Sequence, residues 1–576
     1  MMQKEWVLAP RAPAERLERY RGFSPILAQL LINRGFEDPN AAREFVSGQA
    51  LSEDPFHLQD MDAAVARLNG AIAEQEPIAV YGDFDADGVC ATALLTQTVR
   101  ALGGDVLPYI PDRADEGYGL NTPALENLAR RGIKLVVTVD CGIRSIAEVE
   151  AGLRAGLDII VTDHHSIGPE LPPALAVINP QRDDCAGEAR LAGVGVAFML
   201  AKALLLHRWA TERHNYPAGL RQSDLLDLVA LGAVADVSPL NAGLNRRLVK
   251  HGLDTINEMR RPGVAALIKV AGLKPGGVKA RDIGFGLGPR INAAGRLGSA
   301  MVAYDLLAAQ SIEEAMPRAI QLQSLNAQRQ QLTRQALAAI SEQVGDDPDR
   351  SLIFAGDENL QSGIVGLVAG RLAETFYRPA VVMEYGEVES RASCRSIPEF
   401  NITRALDECA DLLLRHGGHA VAAGFTIQNS NIDVLRQELA KKADADLRGR
   451  KLAPKLAIDS QIQLAELDAS LLAELDLLEP TGHENEKGVF LTSDLRVLQC
   501  RRVGEDGRHL KLKVAEDGGP PVDAIGFGLG EWAQEMPRRI DAAYHAEINE
   551  WGERRSLQLR LLDIRPAMRE RGAVSG

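Results

Sequence analysis

Residues Ile78-Ala79-Val80-Tyr81-Gly82-Asp83-Phe84-Asp85-Ala86-Asp87-Gly88 join a short apolar run to carboxylates at alternate positions. The apolar run reads as a buried strand. In an extended segment side chains two apart point to the same side, so Asp83, Asp85 and Asp87 are expected to converge on one spot. Like charges held together are unstable unless cations neutralise them. Gly88 is expected to release the chain into a helix from Val89 to Leu102. An alternating Asp run also suits a calcium loop, but this one lacks the later ligands and the glutamate of an EF-hand.

Further apolar runs follow at Asp105–Ile110, Lys134–Val139 and Asp158–Thr162, with helical stretches between them such as Ser145–Ala155. Continuous apolar strands alternating with helices predict a mostly parallel sheet covered on both faces. Asp140 ends the third strand, and Asp163-His164-His165 ends the fourth. Separate strands thus deliver acids and histidines at their C-terminal ends, the edge where open α/β sheets bind ligands. Asp236, where an apolar helix gives way to Val237-Ser238-Pro239, is a further contributor. An isolated Asp at a strand end is usually a cap or turn former; co-occurrence on successive strands of one sheet overturns that reading. The set is carboxylate-heavy, with imidazole and no thiolate, which favours Mn²⁺ or Mg²⁺ over structural zinc. It exceeds the needs of one ion. Two divalent metal ions about 3.5–4 Å apart can activate a water and stabilise the leaving oxygen of a phosphoryl group.

The 576 residues predict several domains. The fold class is α/β: two α/β domains joined by a long helix, plus a C-terminal antiparallel β-barrel. The expected boundaries are 1–70 for an N-terminal helical segment, 71–310 for the catalytic domain, 311–345 for the connecting helix, 346–450 for the second α/β domain and 451–576 for the barrel. The barrel rests on short alternating strands such as Leu510–Val514 and Ser556–Arg560. No run of 18 or more uncharged apolar residues is visible, so no membrane span is expected. The N-terminus shows no apolar signal core. A cytoplasmic monomer is expected. The six cysteines are scattered without a CxxC, which indicates neither a zinc knuckle nor a disulfide framework.

The net charge of −15 argues mildly against a nucleic-acid partner, but the distribution reverses this. Between Arg246 and Arg296 eleven Lys+Arg stand against three Asp+Glu, and between Arg496 and Lys513 six against two. Basic islands on an acidic chain suit a localised phosphate-binding surface. The alternative is a solvated face without a partner.

Taken together, Tyr81–Gly88, Asp140-Cys141-Gly142, the Asp163-His164-His165 triplet, Ala235-Asp236-Val237 and Gly288–Arg296 resemble the DHH phosphoesterase superfamily. The order of motifs is most similar to its RecJ family of bacterial 5′→3′ exonucleases specific for single-stranded DNA. Ser362–Gly366, Ser393–Ser396 and Gly417-Gly418-His419 leading to Ala423-Gly424-Phe425 resemble the DHHA1 substrate-binding domain, and the barrel resembles the family's OB-fold.

The resemblance implies that Asp83, Asp85 and Asp140 hold one ion and that Asp87, Asp140, His164 and Asp236 hold the other. Many superfamily members carry a histidine in the first motif, where this chain has Asp83. His165 would contact the scissile phosphate, with Asp163 supporting the histidines from behind, and Arg290, Arg296 and His419 would line the channel. Arg113, Ser393 and Arg395 would form a 5′-phosphate pocket, a task suited to the planar guanidinium. Arg501, Arg502, Arg508, Lys511 and Lys513 would hold the strand on the barrel by a basic groove plus stacking.

The implied activity is hydrolysis to 5′-nucleotides in DNA repair, recombination and mismatch repair. The implied partners are single-stranded DNA, single-strand-binding protein and a RecQ-type helicase. The alternatives are a DHH enzyme for small substrates (a pyrophosphatase, an oligoribonuclease or a cyclic-dinucleotide phosphodiesterase) and a non-catalytic DNA-binding relative.

Overall fold

The computed structural model describes residues 4–48, 51–113, 116–117, 119–211, 219–241, 243–345, 347, 349–551 and 554–567. The chain forms two compact units, Ala50–Leu452 and a second made of Met1–Gln49 with Ala453–Gly576. The stretch read as one N-terminal helical segment therefore divides between them.

In the larger unit the strands Val106–Tyr109, Ile78–Tyr81, Leu135–Val139, Asp158–Thr162 and Ala176–Ile178 form, in that order, an all-parallel sheet. Every residue of Ile78–Tyr81 and Leu135–Val139 is buried, as β-branched and aromatic side chains covered on both faces must be. Parallel register places Tyr81 beside Thr138 and Val139 beside Thr162. The loops carrying Asp83, Asp140 and Asp163 therefore leave the sheet along one edge. Gly193–Thr211 includes the one described helix long and apolar enough to cross a bilayer, and most of it is buried. Helix Leu226–Ala235 packs beside it.

The long helix appears at Ile312–Val344, capped by the Ser311 hydroxyl. It packs on helices Gly288–Leu297 and Ser362–Phe376. Beyond it a mixed sheet has the order Leu413–His419, Ala422–Gln428, Glu389–Arg395, Ala380–Glu384, Ile353–Asp357. Only its last pair of strands is parallel.

In the smaller unit, strands Phe490–Val503, His509–Ala515, Val522–Gly526, Arg554–Pro566 and Arg539–Trp551 pair in sequence, and the last returns to the first. The closed barrel is antiparallel except where Val522–Gly526 meets Arg554–Pro566. Closure removes the sheet edges that would otherwise template aggregation. The N-terminal strand Glu5–Leu8 pairs with Lys455–Ile458, and helix Pro25–Asn33 contributes Leu27, Leu30 and Leu31 to the same core as the barrel residues Phe490 and Tyr544.

Candidate metal centre and phosphate-binding residues

The carboxylates of the first motif converge by a route other than extended alternation. The strand ends at Tyr81, and the helix begins at Ala86 with Asp85 as its N-cap. The Asp85 carboxylate accepts the amides of Asp87 (2.9 Å) and Gly88 (3.1 Å). Asp87 already lies in the first helical turn, so a cap and a turn bring the acids together. Gly88 is required by packing: a Cβ there would lie 2.6 Å from the backbone N and O of Asp83.

Asp87 is completely enclosed. Its oxygens accept the amides of Gly193 (2.8 Å) and Val194 (3.0 Å), the first amides of the long buried helix. A helix N-terminus is a favourable place for a carboxylate. Gly193 is forced by the same crowding, since a Cβ would sit 2.6 Å from the Asp140 Cβ. Asp140 adopts a left-handed backbone (φ 64°), a conformation uncommon outside glycine, in which Asp is one of the better tolerated residues.

Asp163 is buried and accepts the amides of Ile143 (2.9 Å), His164 (2.7 Å) and His165 (3.0 Å), as well as His165 Nδ1 at 2.7 Å. It is saturated from behind and fixes the His165 ring. Burial opposes its charge, but the bond from His165 and the amides outweigh burial and hold the carboxyl below its usual range. For His165 burial lowers the pKa, and Asp163 more than compensates, leaving it raised. His165 is thus held towards the imidazolium. His164 goes the other way: burial, then the charge of His165, push it down to about 4. A neutral imidazole is the form that ligates metals.

The remaining atoms meet at a common point. Groups of Asp83, Asp85 and Asp140, of Asp87, His164 and Asp236, and of Asp140, His164 and His165 each place their ligand atoms within 4.8 Å of one another. His164 Nε2 lies 3.1 Å from Asp140 Oδ1, 3.9 Å from Asp236 Oδ2 and 4.0 Å from Asp87 Oδ2. Among the described residues His164 Nε2, Asp140 Oδ1 and Asp83 Oδ1 have no hydrogen-bond partner, although all are buried. Atoms 3.1 Å apart without hydrogen-bond alignment are aimed at a third party. Burial, then the neighbouring carboxylates, raise Asp83, Asp87 and Asp140 well above the usual range, and burial with Asp85 pushes Asp236 up to about 7. Orphaned buried acceptors beside mutually repelling acids are what a divalent cation relieves, so the donor set fits hard-metal binding.

Positive charge gathers beside this cluster. The Arg113 guanidinium lies over the Phe84 ring, 4.8 Å from its centroid. Arg296 donates to the Gly363 carbonyl at 3.0 Å. Burial, then the charges of Arg113 and Arg329, with a smaller push from Arg395, bring Arg296 down to about 10. Arg395 donates to Ser393 Oγ at 3.2 Å. Arg113, Ser393 and Arg395 are thus drawn into one neighbourhood with Arg296. Arg290 is held elsewhere, by Gln323 Oε1 (2.7 Å) and the Gly286 carbonyl (2.6 Å). His419 ends the exposed edge strand Leu413–His419, and its described contact is through its carbonyl to Thr403. Among the described residues, no hydrogen bond or ion pair links its ring to the acids.

The basic island from Arg246 to Arg296 is not one surface. Arg246 is buried, Arg247 pairs with Glu53, Arg260 with Glu258, and Arg261 with Asp227. The motif Gly288–Arg296 lies on helix Gly288–Leu297.

On the barrel Arg502 donates to the Gly530 carbonyl and Arg508 pairs with Asp506. Arg501 and Lys511 face each other in register, with Lys513 opposite Gln499 on the same outward side. Sequence reading missed an aromatic pair on the barrel. Phe527 is 59% exposed and packs edge-on against His509 at 5.3 Å. It also missed Gln323, Asn326 and Arg329, three apart on the connecting helix. Among the described residues Asn326 Oδ1 and Arg329 Nε are buried without a partner. A polar stripe at helical spacing inside an otherwise ordinary helix was the available signal.

Fold and site together define a phosphoesterase with a carboxylate–histidine metal centre. Family models agree: the DHH family N-terminal domain matches residues 77–233, the DHHA1 domain 349–445 and the RecJ OB domain 458–563. The single-stranded-DNA-specific exonuclease RecJ of Bacillus subtilis is 36% identical over 550 residues, covering 94% of this chain and 68% of that protein. That of Salmonella typhimurium is 36% identical over 585 residues, covering 98% and 100%. RecJ from Thermus thermophilus, solved in complex with Mn²⁺, superposes with a TM-score of 0.83 at 31% identity, over 97% of this chain and 79% of that one. Its Mg²⁺ complex gives 0.78 at 29%, over 97% and 78%. The chain belongs to the RecJ family of single-stranded-DNA-specific exonucleases.

Proposed function

We propose that this protein removes nucleotides from the 5′ end of single-stranded DNA by hydrolysis at a centre holding two divalent ions, Mn²⁺ or Mg²⁺. The observation that carries the reading is the convergence of the unpartnered, buried atoms Asp83 Oδ1, Asp140 Oδ1 and His164 Nε2. Asp83, Asp85 and Asp140 would hold one ion; Asp87, Asp140, His164 and Asp236 would hold the other. When bound, such ions act as Lewis acids on the phosphoryl group and lower the pKa of water.

The chain's own residues supply the rest. Asp163 fixes the His165 ring and favours its charged form, so a cation faces the scissile phosphate. Arg296 adds a guanidinium donor beside the acids, while Arg290, held by Gln323 and the Gly286 carbonyl, and His419 on the second α/β domain would line the channel. Arg113, Ser393 and Arg395 receive the 5′-phosphate and set polarity. Arg501, Lys511 and Lys513 hold the strand on the barrel, with Arg502 and Arg508 at its margin.

The same reading assigns the enzyme to DNA repair, recombination and mismatch repair, as a monomer working with single-strand-binding protein and a RecQ-type helicase. The test is degradation of single strands labelled separately at each end, with Mn²⁺, Mg²⁺ or chelator. Early release of the 5′ label only, lost in chelator, is the expected result. Preference for a dinucleotide over a long strand overturns it.

A further inference from the structure

The most exposed large apolar side chain among the described residues is Phe285, 83% accessible. It lies in Ile283-Gly284-Phe285-Gly286-Leu287, a π-helical turn. Such turns are rare and concentrate at functional sites. The flanking glycines leave space around it: a Cβ on Gly284 or Gly286 would meet nothing closer than 3.5 Å.

The turn packs against the end of helix Leu226–Ala235, whose C-cap is Asp236. A Cβ on Gly284 would lie 3.8 Å from Val234 Cγ1, and one on Gly288 3.1 Å from the Ala235 Cβ. Val237, next to Asp236, is 61% exposed. Its amide bonds the Val234 carbonyl and the Ser238 amide bonds that of Ala233, a Schellman end. Val237 takes the left-handed position of that motif, φ 60°, where glycine is the usual occupant and a β-branched residue is strained. Two exposed apolar residues thus belong to the packed turn and helix end that carry Asp236, a carboxylate of the acid cluster. The Arg290 guanidinium is bonded to the carbonyl of Gly286, the residue after Phe285.

A ligand that reaches Arg290 and Phe285 together must offer an anion and, close to it, a flat apolar face. We propose that Phe285, with Val237 beside it, is a stacking ledge for an unpaired nucleobase next to the scissile phosphate. This rests on the nuclease reading above and deepens it. A base held in a duplex has both faces covered by its stacked neighbours, so the ledge also favours single strands. Stacking is tolerant of base identity because every base has a π-face.

The experiment compares wild type, Phe285→Ala and Phe285→Trp on a 5′-phosphorylated single strand. A series of strands carries one abasic residue at each successive position from the 5′ end. Turnover is followed with Mn²⁺, and binding by fluorescence anisotropy with Ca²⁺ in its place. On the intact strand Phe285→Ala should lose roughly 5- to 100-fold in kcat/KM or affinity, while Phe285→Trp retains most of it. One abasic position should cost wild type a similar factor and cost Phe285→Ala nothing further. The ledge is overturned by Phe285→Ala within twofold of wild type on the intact strand, or by abasic losses that multiply independently with the substitution at every position. Wild-type turnover tests the nuclease reading separately: with turnover absent, anisotropy still decides the ledge.

Discussion

The acid cluster and the outward face of the barrel are both proposed to meet phosphate, yet they are built on opposite principles. At the acid cluster Asp83, Asp87, Asp140 and Asp163 are buried, and the other acids and rings are half-buried. Asp87 is bound by helix-end amides, Asp163 by three amides and a ring, and Asp85 by its own helix. On the barrel Arg501, Lys511 and Lys513 stand on a solvated sheet face. Buried charges in a low-dielectric site act strongly and at short range, whereas exposed cations are screened and contribute additively. The first arrangement suits a step that needs fixed geometry, the second a grip that must slide.

The contrast is most easily broken at Asp140, which belongs to two of the three candidate ligand groups. Asp140→Ala should cut Mn²⁺-dependent degradation by about 10³-fold or more, the scale of losing a principal electrostatic element; undiminished degradation refutes the assigned centre. Asp163→Asn keeps the size of the side chain but removes the charge that holds His165. A fall of roughly 10–100-fold, typical of residues that orient site histidines, should appear in kcat with KM little changed. A drop in KM-type binding alone would count against the orienting role.

On the barrel, replacing Arg501, Lys511 and Lys513 together by Ala should leave kcat near wild type at saturating strand. It should reduce the slope of log affinity against log salt by about 2, at roughly 0.7 per phosphate contact on a single strand. An unchanged slope would remove these residues from the DNA path.

Metal removal has a pH signature. Asp83, Asp87, Asp140 and Asp236 have folded-state values above their unfolded ones, Asp236 at about 7. The metal-free folded chain therefore binds protons more tightly than the unfolded chain. The stability this contributes is complete below the unfolded carboxylate values and is lost as pH rises through the folded ones. In chelator the Tm should decline from about pH 5 to about pH 8, and saturating Mn²⁺ should restore about 3 kcal/mol, most visibly at the upper end. A Tm in chelator that rises over that range contradicts the clustering of unneutralised acids. The smallest effect is at Val237. Val237→Gly relieves the left-handed strain and should stabilise the protein by about 1 kcal/mol in thermal melts, while weakening strand binding if the ledge is correct.

Much of this was legible in the linear chain. Apolar runs ending in Asp83, Asp140 and Asp163 mark strands and their C-terminal edge, because a parallel sheet buried on both faces permits few other sequences. Asp236 was legible from the apolar helix it terminates. The mode of convergence at Asp83–Asp87 was not, since a cap followed by a helical turn and an extended run share the same spacing of acids over so few residues. The basic island misled in part for a different reason. Charge counting is blind to partners, and Glu53 and Asp227 neutralise two of its arginines, Arg247 and Arg261, from elements distant in sequence.

The sequence by itself determined the parallel sheet, the long helix, the barrel and the strand-end placing of the acids and histidines that come together, because period, breaker residues and strand-end position are local properties. Only the tertiary structure decided which cations are paired, how burial shifts His164 down while Asp163 shifts His165 up, and that Gln323 and Arg329 meet Arg290 and Arg296. Those outcomes depend on burial and on partners far along the chain, and neither exists until the chain has folded.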